Sequence, residues 1–336
     1  MRRRPTIIDV ARVAGVSKTT VSRVVSGDGS LVREETRQKV LDAVEQLGYE
    51  RNAIAGGLRT NRTYTIALII PDIANPFWPE VARGVQHALE AKGYAVVLAN
   101  SDWDMRREHE FLAMARRNRF DGIIINPASV TNDELAACGI PATILGGLGS
   151  EYSDFDMVGS DSYGGTALAM THLVSLGHQR IGLISGLSRG SSRASRLDSY
   201  TDFLQQHDIP MEKDLIIKCP YGQEFGRRSM AQLLDLTNPP TAVLAANDIL
   251  AIGALQAIRE AGLRVPQDIS IVGMDDIYAI SVTTPPLTTV AKQKHTLGWQ
   301  AAIFLLERIQ GEAPSTPRRH ALPCRLITRG STAPPS

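Results

Sequence analysis

The chain has 336 residues, 43 % of them apolar and 21 % charged, which is typical of a globular protein of two or three domains. This composition excludes a disordered, collagen-like or coiled-coil chain, and the net charge of +1 indicates no class of partner. The distribution of charge is more informative, because residues 1–62 hold 12 Lys and Arg against 7 Asp and Glu. A basic N-terminal module on a mildly acidic body indicates nucleic-acid binding at one end.

Cysteine usage and the N-terminus indicate the compartment. Cys138, Cys219 and Cys324 form no CxxC pair, so we expect neither a disulfide framework nor a structural zinc site. Asp9 and Arg12 interrupt any apolar signal segment after the basic N-terminus. No stretch approaches the ~18 consecutive apolar residues that a membrane helix needs. We therefore expect a cytoplasmic protein without membrane contact.

The run TIIDVARVAGVSKTTVSRVVS near the N-terminus predicts two short helices joined by a tight turn. Thr6 and Ser17 can cap the two helices, and Gly15 stands where the first must end with a positive φ angle. Ala11 is small where the second helix crosses it, and Val21 packs back into the angle. An ordinary αα-hairpin also uses a cap and a glycine. The spacing and the basic second helix favour a helix-turn-helix.

A third amphipathic helix is predicted over about Glu34–Leu47, and from Tyr64 onward short apolar runs alternate with amphipathic segments. This alternation predicts parallel, doubly wound sheets, and there are too many strands for one small sheet. We expect two Rossmann-like subdomains forming a hinged clamshell, with the break near Asp161–Gly165. The predicted strands are Thr65–Ile70, Ala95–Ala99, Gly122–Ile125, Ala142–Leu145, Arg180–Ile184, Ala242–Ala245 and Ile269–Gly273. The predicted helices of the body lie near Pro79–Lys92, Arg106–Asn118, Tyr163–Ser175, Ala194–His207, Glu224–Leu234, Asp248–Ala261 and Thr296–Ile309.

Polar and aromatic side chains follow several predicted strands. Doubly wound sheets bind ligands in the crevice beyond the carboxyl ends of their strands. Aromatic faces together with carboxylate, amide and guanidinium groups suit a sugar-like or small polar ligand. The segments concerned are Pro71–Glu80, Asn100–Asp102, Asn247–Asp248 and Met274–Asp276, together with Arg196 and Tyr221.

Two other classes of protein are less consistent with the sequence. Gly186–Gly190 is a GxSxG string, and Asp275 with His295 completes the chain order of an α/β-hydrolase triad. However, Gly186 already breaks the strand, a polar loop follows, and a hydrolase leaves the first sixty residues unexplained. A solute receptor would need a secretory signal. With no GxxxxGK[ST] and no paired histidine spacing, we expect no catalytic residue, no metal site and no cofactor.

The run TIIDVARVAGVSKTTVSRVVSG, followed by ETRQKVLDAVEQLGYERNAIAGGLRT, resembles the DNA-binding headpiece and hinge of the lactose-repressor/galactose-repressor family. The segments IPDIANPFW, SRASRLDSY, AANDILAIGAL and ISIVGMDDIYAISVTTPPLTTV resemble the body of that family. The resemblance therefore runs from about Thr6 to Thr328. Two features depart from the family pattern: Arg33 replaces a Ser or Thr helix cap, and Gly56-Gly57 makes the hinge rich in glycine.

The resemblance implies an all-α helix-turn-helix headpiece, a hinge helix and an α/β clamshell like that of periplasmic binding proteins. It also implies a transcription regulator, specifically a repressor, that acts as a homodimer on a pseudo-palindromic operator. A small polar effector in the cleft, a sugar or sugar derivative, would control operator affinity. The implied domains are 1–50, a hinge at 51–63 and a body at 64–330, with an N-subdomain (64–161 and 291–321) and a C-subdomain (162–290 and 322–330).

The same resemblance assigns individual residues. In the headpiece, base edges in the major groove would be contacted by Lys18, Thr19 and Arg23, and phosphates by Ser17, Thr20 and Ser22. Further DNA contacts are expected from Thr6, Asn52 and Ala55, with Leu58 as an apolar wedge in the minor groove. The effector would be contacted by Phe77, Trp78, Asp102, Arg196, Tyr221, Asn247 and Asp275. Four alternatives remain: Trp78 as a core residue, Arg196 on a solvated helix face, and Asp248 and Asp276 as helix caps rather than ligand contacts.

Overall fold

The computed structural model describes residues 5–25, 32–49, 62–147, 149, 151–186 and 196–336. Residue contacts divide the chain into two units, Met1–Thr63 and Tyr64–Ser336. In the described part, no helix is both long and apolar enough to cross a bilayer.

The first unit is helical and built around a small apolar core. Thr6 and Asp9 form a capping box at the start of its first helix, and Gly15, with φ +67°, ends that helix. Its described helices are α1 (Ile7–Ala14), α2 (Lys18–Val25) and α3 (Glu34–Leu47). The core side chains come from all three helices: Val10, Ala11, Val21, Val24, Val40 and Ala43.

Helix α3 begins without a side-chain cap. Arg33 occupies the cap position, and its side chain makes no hydrogen bond to the start of the helix. Glu34 and Glu35 lie in the first turn, where negative charge interacts favourably with the helix dipole. The two glutamates therefore compensate for the missing side-chain cap at Arg33.

The second unit contains two six-stranded sheets, one in each subdomain. The first sheet is wholly parallel, in the order β11-β5-β4-β3-β1-β2. Its strands are β1 (Thr65–Ile70), β2 (Ala95–Asn100), β3 (Gly122–Ile125), β4 (Ala142–Leu145), β5 (Asp156–Ser160) and β11 (Arg319–Leu322). The second sheet has the order β12-β10-β9-β8-β6-β7, in which β12 alone is antiparallel to its neighbour. Its strands are β6 (Ile181–Gly186), β7 (Ile216–Cys219), β8 (Ala242–Ala245), β9 (Ser270–Asp275), β10 (Thr288–Ala291) and β12 (Arg325–Ile327).

Helices cover the sheets, and one pair of them packs in backbone contact. The described body helices are α4 (Phe77–Glu90), α5 (Met105–Arg117), α6 (Asn132–Ala137), α7 (Ser162–Ser175), α8 (Arg196–Gln206), α9 (Gln223–Leu234), α10 (Asp248–Glu260) and α11 (Lys294–Gln310), with 3₁₀ turns at Lys213–Leu215 and Tyr278–Val282. Helices α4 and α11 cross at Gly84 and Gly298. A Cβ atom on either glycine would lie 2.0 Å from a carbonyl oxygen of the other helix. This crossing leaves α4 and α11 no room to slide.

The chain passes between the two subdomains three times. The first crossing lies between β5 and α7, the second between β10 and α11, and the third between β11 and β12. Because these three connections are short, the subdomains form a hinged pair with a cleft between them.

The two doubly wound sheets predicted from the sequence are confirmed, and all seven predicted strands are present within two residues of their expected bounds. The additional strands are β5, β7, β10, β11 and β12. Of these, β7, β11 and β12 lie at sheet edges and mix polar with apolar residues, so they carry no clear hydrophobic run. The short helix α6 was also missed.

Candidate functional site

Arg196 lies at the start of α8, and its side chain reaches residues at the carboxyl ends of β7 and β9. Its Nε atom donates to the Sδ atom of Met274 at 3.0 Å, and one terminal nitrogen donates to the Tyr221 hydroxyl at 3.2 Å. The Tyr221 ring covers the end of β6, where a Cβ atom on Gly186 would fall 2.0 Å from a ring carbon. Arg196 and Tyr221 therefore meet at the carboxyl edge of the second sheet, as the sequence predicts.

Asp275 forms a buried ion pair that the sequence pattern does not indicate. Its Oδ1 atom lies 2.8 Å from the Nζ atom of Lys292, and the two side chains are 6 % and 5 % exposed. The Lys292 ammonium also lies 5.4 Å from the centroid of the Phe77 ring. Burial lowers the pKa of Lys292, the nearby positive charge of Arg196 lowers it further, and Asp275 acts in the opposite direction. Lys292 thus brings Phe77, Asp275 and Arg196 into one electrostatic cluster.

A second buried carboxylate lies behind this cluster. Asp248 accepts a hydrogen bond from the Thr289 hydroxyl at 2.6 Å and another from the Ile277 backbone N–H at 2.9 Å. Burial raises the pKa of Asp248 to about 8, and the negative charge of Asp275 raises it as well. Asp248 holds β10 and the segment after β9 together, and its oxygens face the protein interior.

The caps at these strand ends differ from the sequence expectation. The N-cap of α10 is Asn247, whose side-chain oxygen accepts from the Leu250 N–H at 2.9 Å, so Asp248 is not the cap. Asn247 is 4 % exposed, and its side-chain oxygen is committed to the helix. Asp276 does not cap the following 3₁₀ turn, whose N-cap position is Ile277, and its carboxylate forms an ion pair with Arg329 at 2.6 Å.

An aromatic stack bridges the two subdomains. Trp103 follows β2 in the first subdomain, and its ring stacks on Tyr221 of the second with centroids 5.4 Å apart and planes at 20°. Asp102 and Trp103 both have positive φ angles, +50° and +59°. Asp102 accepts from Asn100 at 2.6 Å and pairs with Arg107, so it shapes this turn. Trp103 was not predicted, although an aromatic residue in a strand-end loop was the available signal.

The two neighbouring aromatic residues after β1 lie at the cleft side of the core. Trp78 packs edge-on against Phe77, with ring centroids 5.0 Å apart. Each residue is 8 % exposed and belongs to the main apolar cluster of the body. Only Phe77 contacts the charged cluster, through Lys292. The packing of Trp78 agrees with its alternative interpretation as a core residue.

In the first unit, α2 presents a basic, polar surface. Lys18, Thr19 and Arg23 are exposed, and the buried face of the helix carries valines. Ser17 accepts the Thr20 N–H at 3.1 Å, which caps the helix. Thr6 also caps its helix, and Thr20 and Ser22 are half-buried. Asn52, Ala55 and Leu58 lie outside the described residues.

The structure describes two of the three residues of the GxSxG alternative, Asp275 and His295. Asp275 is bound to Lys292, and the Nε2 atom of His295 lies 2.9 Å from the Nδ1 atom of His87. Ser188 lies outside the described residues. Among those described, no group of three or more His, Cys, Asp or Glu side chains could hold a metal ion. The aspartate and histidine of the supposed triad therefore have other partners.

Comparison with known proteins relates both units to one group. Residues 6–52 match the family described as bacterial regulatory proteins, lacI family. Residues 170–332 match a periplasmic binding protein-like domain. The HTH-type transcriptional regulator DegA of Bacillus subtilis is 33 % identical over 335 residues, covering 98 % of each chain. The transcriptional repressor PurR of Haemophilus influenzae is 34 % identical over 308 residues, covering 90 % of this chain and 91 % of PurR.

Solved structures share the same architecture. A lac repressor dimer bound to operator and the anti-inducer ONPF has a TM-score of 0.87 at 31 % identity and covers 98 % of this chain and all of its own. A complex of the regulator CelR with cellobiose has a TM-score of 0.74 at 31 % identity with the same coverage. A ribose-bound regulator from Enterococcus faecium has a TM-score of 0.71 at 34 % identity, covering 81 % of this chain and all of its own.

Proposed function

The chain belongs to the lacI family of bacterial regulatory proteins, and from that premise we propose a repressor whose operator affinity is set by a sugar-like effector in the body cleft. As a DNA-binding transcriptional regulator, it needs one surface for DNA and another for a signal. The observation that carries the proposal is the pairing of a basic helix α2 with a cleft where Arg196, Tyr221 and Trp103 converge.

The DNA-binding half of the proposal rests on α2. Lys18, Thr19 and Arg23 are exposed on one short helix that contains no acidic residue. Such a helix fits the major groove, where Lys and Arg donate to guanine and Thr contacts bases or methyl groups. The caps at Thr6 and Ser17 stabilise the starts of the two helices. We assign residues 1–50 to the headpiece and 51–63 to a hinge that contacts DNA through Asn52, Ala55 and Leu58.

The effector half rests on the cleft of the body. Tyr221, Trp103 and Phe77 supply flat apolar faces, and Arg196 and Asp275 supply charged groups beside them. A pyranose or furanose ring has apolar faces and polar edges, which this combination matches. Similar regulators bind ribose and cellobiose. Asn247 supports this wall from behind by capping α10, and Asp102 supports it by fixing the turn that carries Trp103.

We further propose a homodimer formed by the body in the cytoplasm, acting as a regulator rather than an enzyme. A single small headpiece buries too little surface for tight operator binding, and a two-fold pair matches a pseudo-palindrome. The body exposes apolar side chains that suit such an interface. Leu98 on the edge strand β2 is 39 % exposed, and Tyr278 and Val282 are 79 % and 81 % exposed.

Operator selection followed by headpiece substitution tests this function. Full-length protein would be used to select binding sites from random duplex DNA, and affinity would then be measured for the selected and shuffled sites. We expect Lys18→Ala with Thr19→Ala to change which sequence is preferred, since each lost base contact costs about 1–3 kcal/mol. Lys39→Ala, on the exposed face of α3 where the lysine pairs with Glu35, is the matched control and should retain the wild-type preference.

Two results would contradict the assignment. A double variant that lowers affinity for every sequence equally would show that Lys18 and Thr19 contact only phosphates. If the selection enriches no pair of half-sites, the protein is not a sequence-specific dimeric regulator.

A further inference from the structure

Arg196 is a cation in the body cleft that forms no ion pair within the part of the chain that the structure describes. Lys292 and Asp275 neutralise one another across 2.8 Å. Arg196 is close enough to lower the pKa of Lys292, and its own hydrogen bonds go to a tyrosine hydroxyl and a methionine sulfur. Within the described residues, no carboxylate lies within 4 Å of the Arg196 guanidinium. One cation therefore remains without a negative partner beside a buried ion pair.

Three other acidic groups near the cleft have side-chain partners. Asp102 pairs with Arg107, and Asp276 pairs with Arg329. Asp248 is held by Thr289 and Ile277, and burial raises its pKa, which favours its neutral form. Asp161 is exposed and caps α7 through the Gly164 N–H at 2.8 Å. The residues at 187–195, outside the described part, include two arginines and no Asp or Glu, so they offer no counter-charge.

We infer that the effector of this regulator is an anionic sugar, whose carboxylate or phosphate is bound by Arg196 and lies next to Lys292. This inference rests on the proposed function and specifies its ligand class. Arg196 is half-exposed and has no ionic partner among the described residues, so an incoming anion can reach its guanidinium. A guanidinium matches carboxylate and phosphate geometry with two parallel hydrogen bonds.

The surrounding side chains favour a sugar over a simple inorganic anion. Trp103 and Tyr221 stack within reach of Arg196, because the Tyr221 hydroxyl is itself an Arg196 partner. A sugar that parts the two rings would place its apolar face against them and would present its acidic substituent to the guanidinium. Hexuronates and sugar phosphates share this arrangement of one ring and one anion.

Matched pairs of ligands test the inference on the full-length protein. The pairs are glucuronate with glucose, galacturonate with galactose, and ribose 5-phosphate with ribose, and inorganic phosphate serves as a fragment probe. Thermal melting and calorimetry at constant ionic strength, with chloride as the reference anion, give the affinities. We expect at least one charged sugar to bind tenfold or more tightly than its neutral partner. Tighter binding of glucuronate or galacturonate would indicate a carboxylate ligand, and tighter binding of ribose 5-phosphate would indicate a phosphate ligand.

Arg196→Gln should reduce that charged-over-neutral preference at least fivefold. This side chain is half-exposed and has no ionic partner among the described residues, so we expect the variant to fold. Lys213→Gln removes a positive charge from an exposed turn before β7, on the edge of the sheet opposite the cleft, and should retain the preference. The double variant Lys292→Gln with Asp275→Asn removes the buried pair together and should also weaken the preference.

Three outcomes separate the two proposals. A neutral sugar that binds as tightly as its charged partner and shifts operator affinity would overturn the anionic ligand while supporting the regulator. Absence of stabilisation by any of the anions, inorganic phosphate included, beyond that of chloride would also overturn it. A protein that binds no operator, whatever the ligand result, contradicts the proposed function instead.

Discussion

Breaking the Asp275–Lys292 pair from one side should destabilise the body strongly. The perturbation is Asp275→Asn, which keeps the shape of the side chain and removes its charge. Lys292 would then remain 5 % exposed, without its carboxylate and with the positive charge of Arg196 nearby. An ammonium in that position must either remain charged in a low-dielectric environment or lose its proton.

The structure sets the size of this effect. Removing one partner of a buried ion pair costs about 3–5 kcal/mol, and neither side chain has enough exposure to solvent to reduce this value. Adding Lys292→Gln to Asp275→Asn removes the uncompensated charge, and two amides can still bond to each other. We therefore expect the double variant to recover most of the loss, with a coupling free energy of about 2–4 kcal/mol.

Urea unfolding at pH 7 and pH 9 measures this double-mutant cycle, which comprises the wild type, both single variants and the double variant. In Asp275→Asn, the buried lysine has a folded pKa below its unfolded value, so the unfolded state binds more protons and stability should rise with pH. The double variant, which lacks the lysine, should not show this rise. If Asp275→Asn is no less stable than the double variant at pH 7, the pair does not carry the energy that its burial implies.

Three further predictions concern other parts of the chain. Asp156→Asn should lower the free energy of unfolding by about 3 kcal/mol at pH 7, because Asp156 is buried against two arginines, one of them Arg308 at 2.8 Å. The arginines hold the pKa of Asp156 at about 2, so in urea unfolding the difference in stability between wild type and variant should decrease as the pH falls from 4 toward 2. Trp103→Ala should raise the fluorescence anisotropy decay rate of a probe on the first subdomain, because the stack restrains subdomain motion. Gly56→Ala with Gly57→Ala should tighten operator binding in gel shifts, since each glycine disfavours a hinge helix by about 1 kcal/mol.

These predictions allow clear refutation. Equal stability of Asp156→Asn and the wild type at pH 7 would show that the arginines find other partners. Unchanged anisotropy in Trp103→Ala would mean that the stack restrains nothing. A weaker operator complex in the hinge variant would favour the competing interpretation, in which paired hinges approach too closely for a Cβ atom.

The sequence was sufficient for the architecture and for placing three of the candidate effector residues at one edge of a sheet. Regular alternation of apolar runs and amphipathic helices predicts parallel sheets, and strand-end positions then bring Tyr221, Arg196 and Asp275 to one edge. The burial of Lys292 was not predicted because Lys292 follows β10, whose residues Thr288–Ala291 include two buried threonines and no long apolar run. A lysine in such a segment is indistinguishable in sequence from a solvated one, since only the fold determines its burial.

Residue roles were harder to predict than positions. Asn247 stands at a strand end, as a ligand contact should, and yet its oxygen caps α10. Asp248, expected to be the cap, is buried by contacts to Thr289 and Ile277, which lie 41 and 29 residues further along the chain. Which of two adjacent polar residues caps a helix depends on backbone angles at one position. Sequence spacing does not determine those angles.

The geometry restricts how a ligand in the cleft could influence the rest of the molecule. Helices α4 and α11 cross in backbone contact at Gly84 and Gly298, so these two helices of the first subdomain cannot slide past each other. Gly226 and Gly253 do the same for α9 and α10 in the second subdomain. Bending at the three crossings between the sheets would change the angle between the halves without sliding these helix pairs. A ligand that parts Trp103 from Tyr221 would act directly on that angle, because this stack joins the two halves at the cleft.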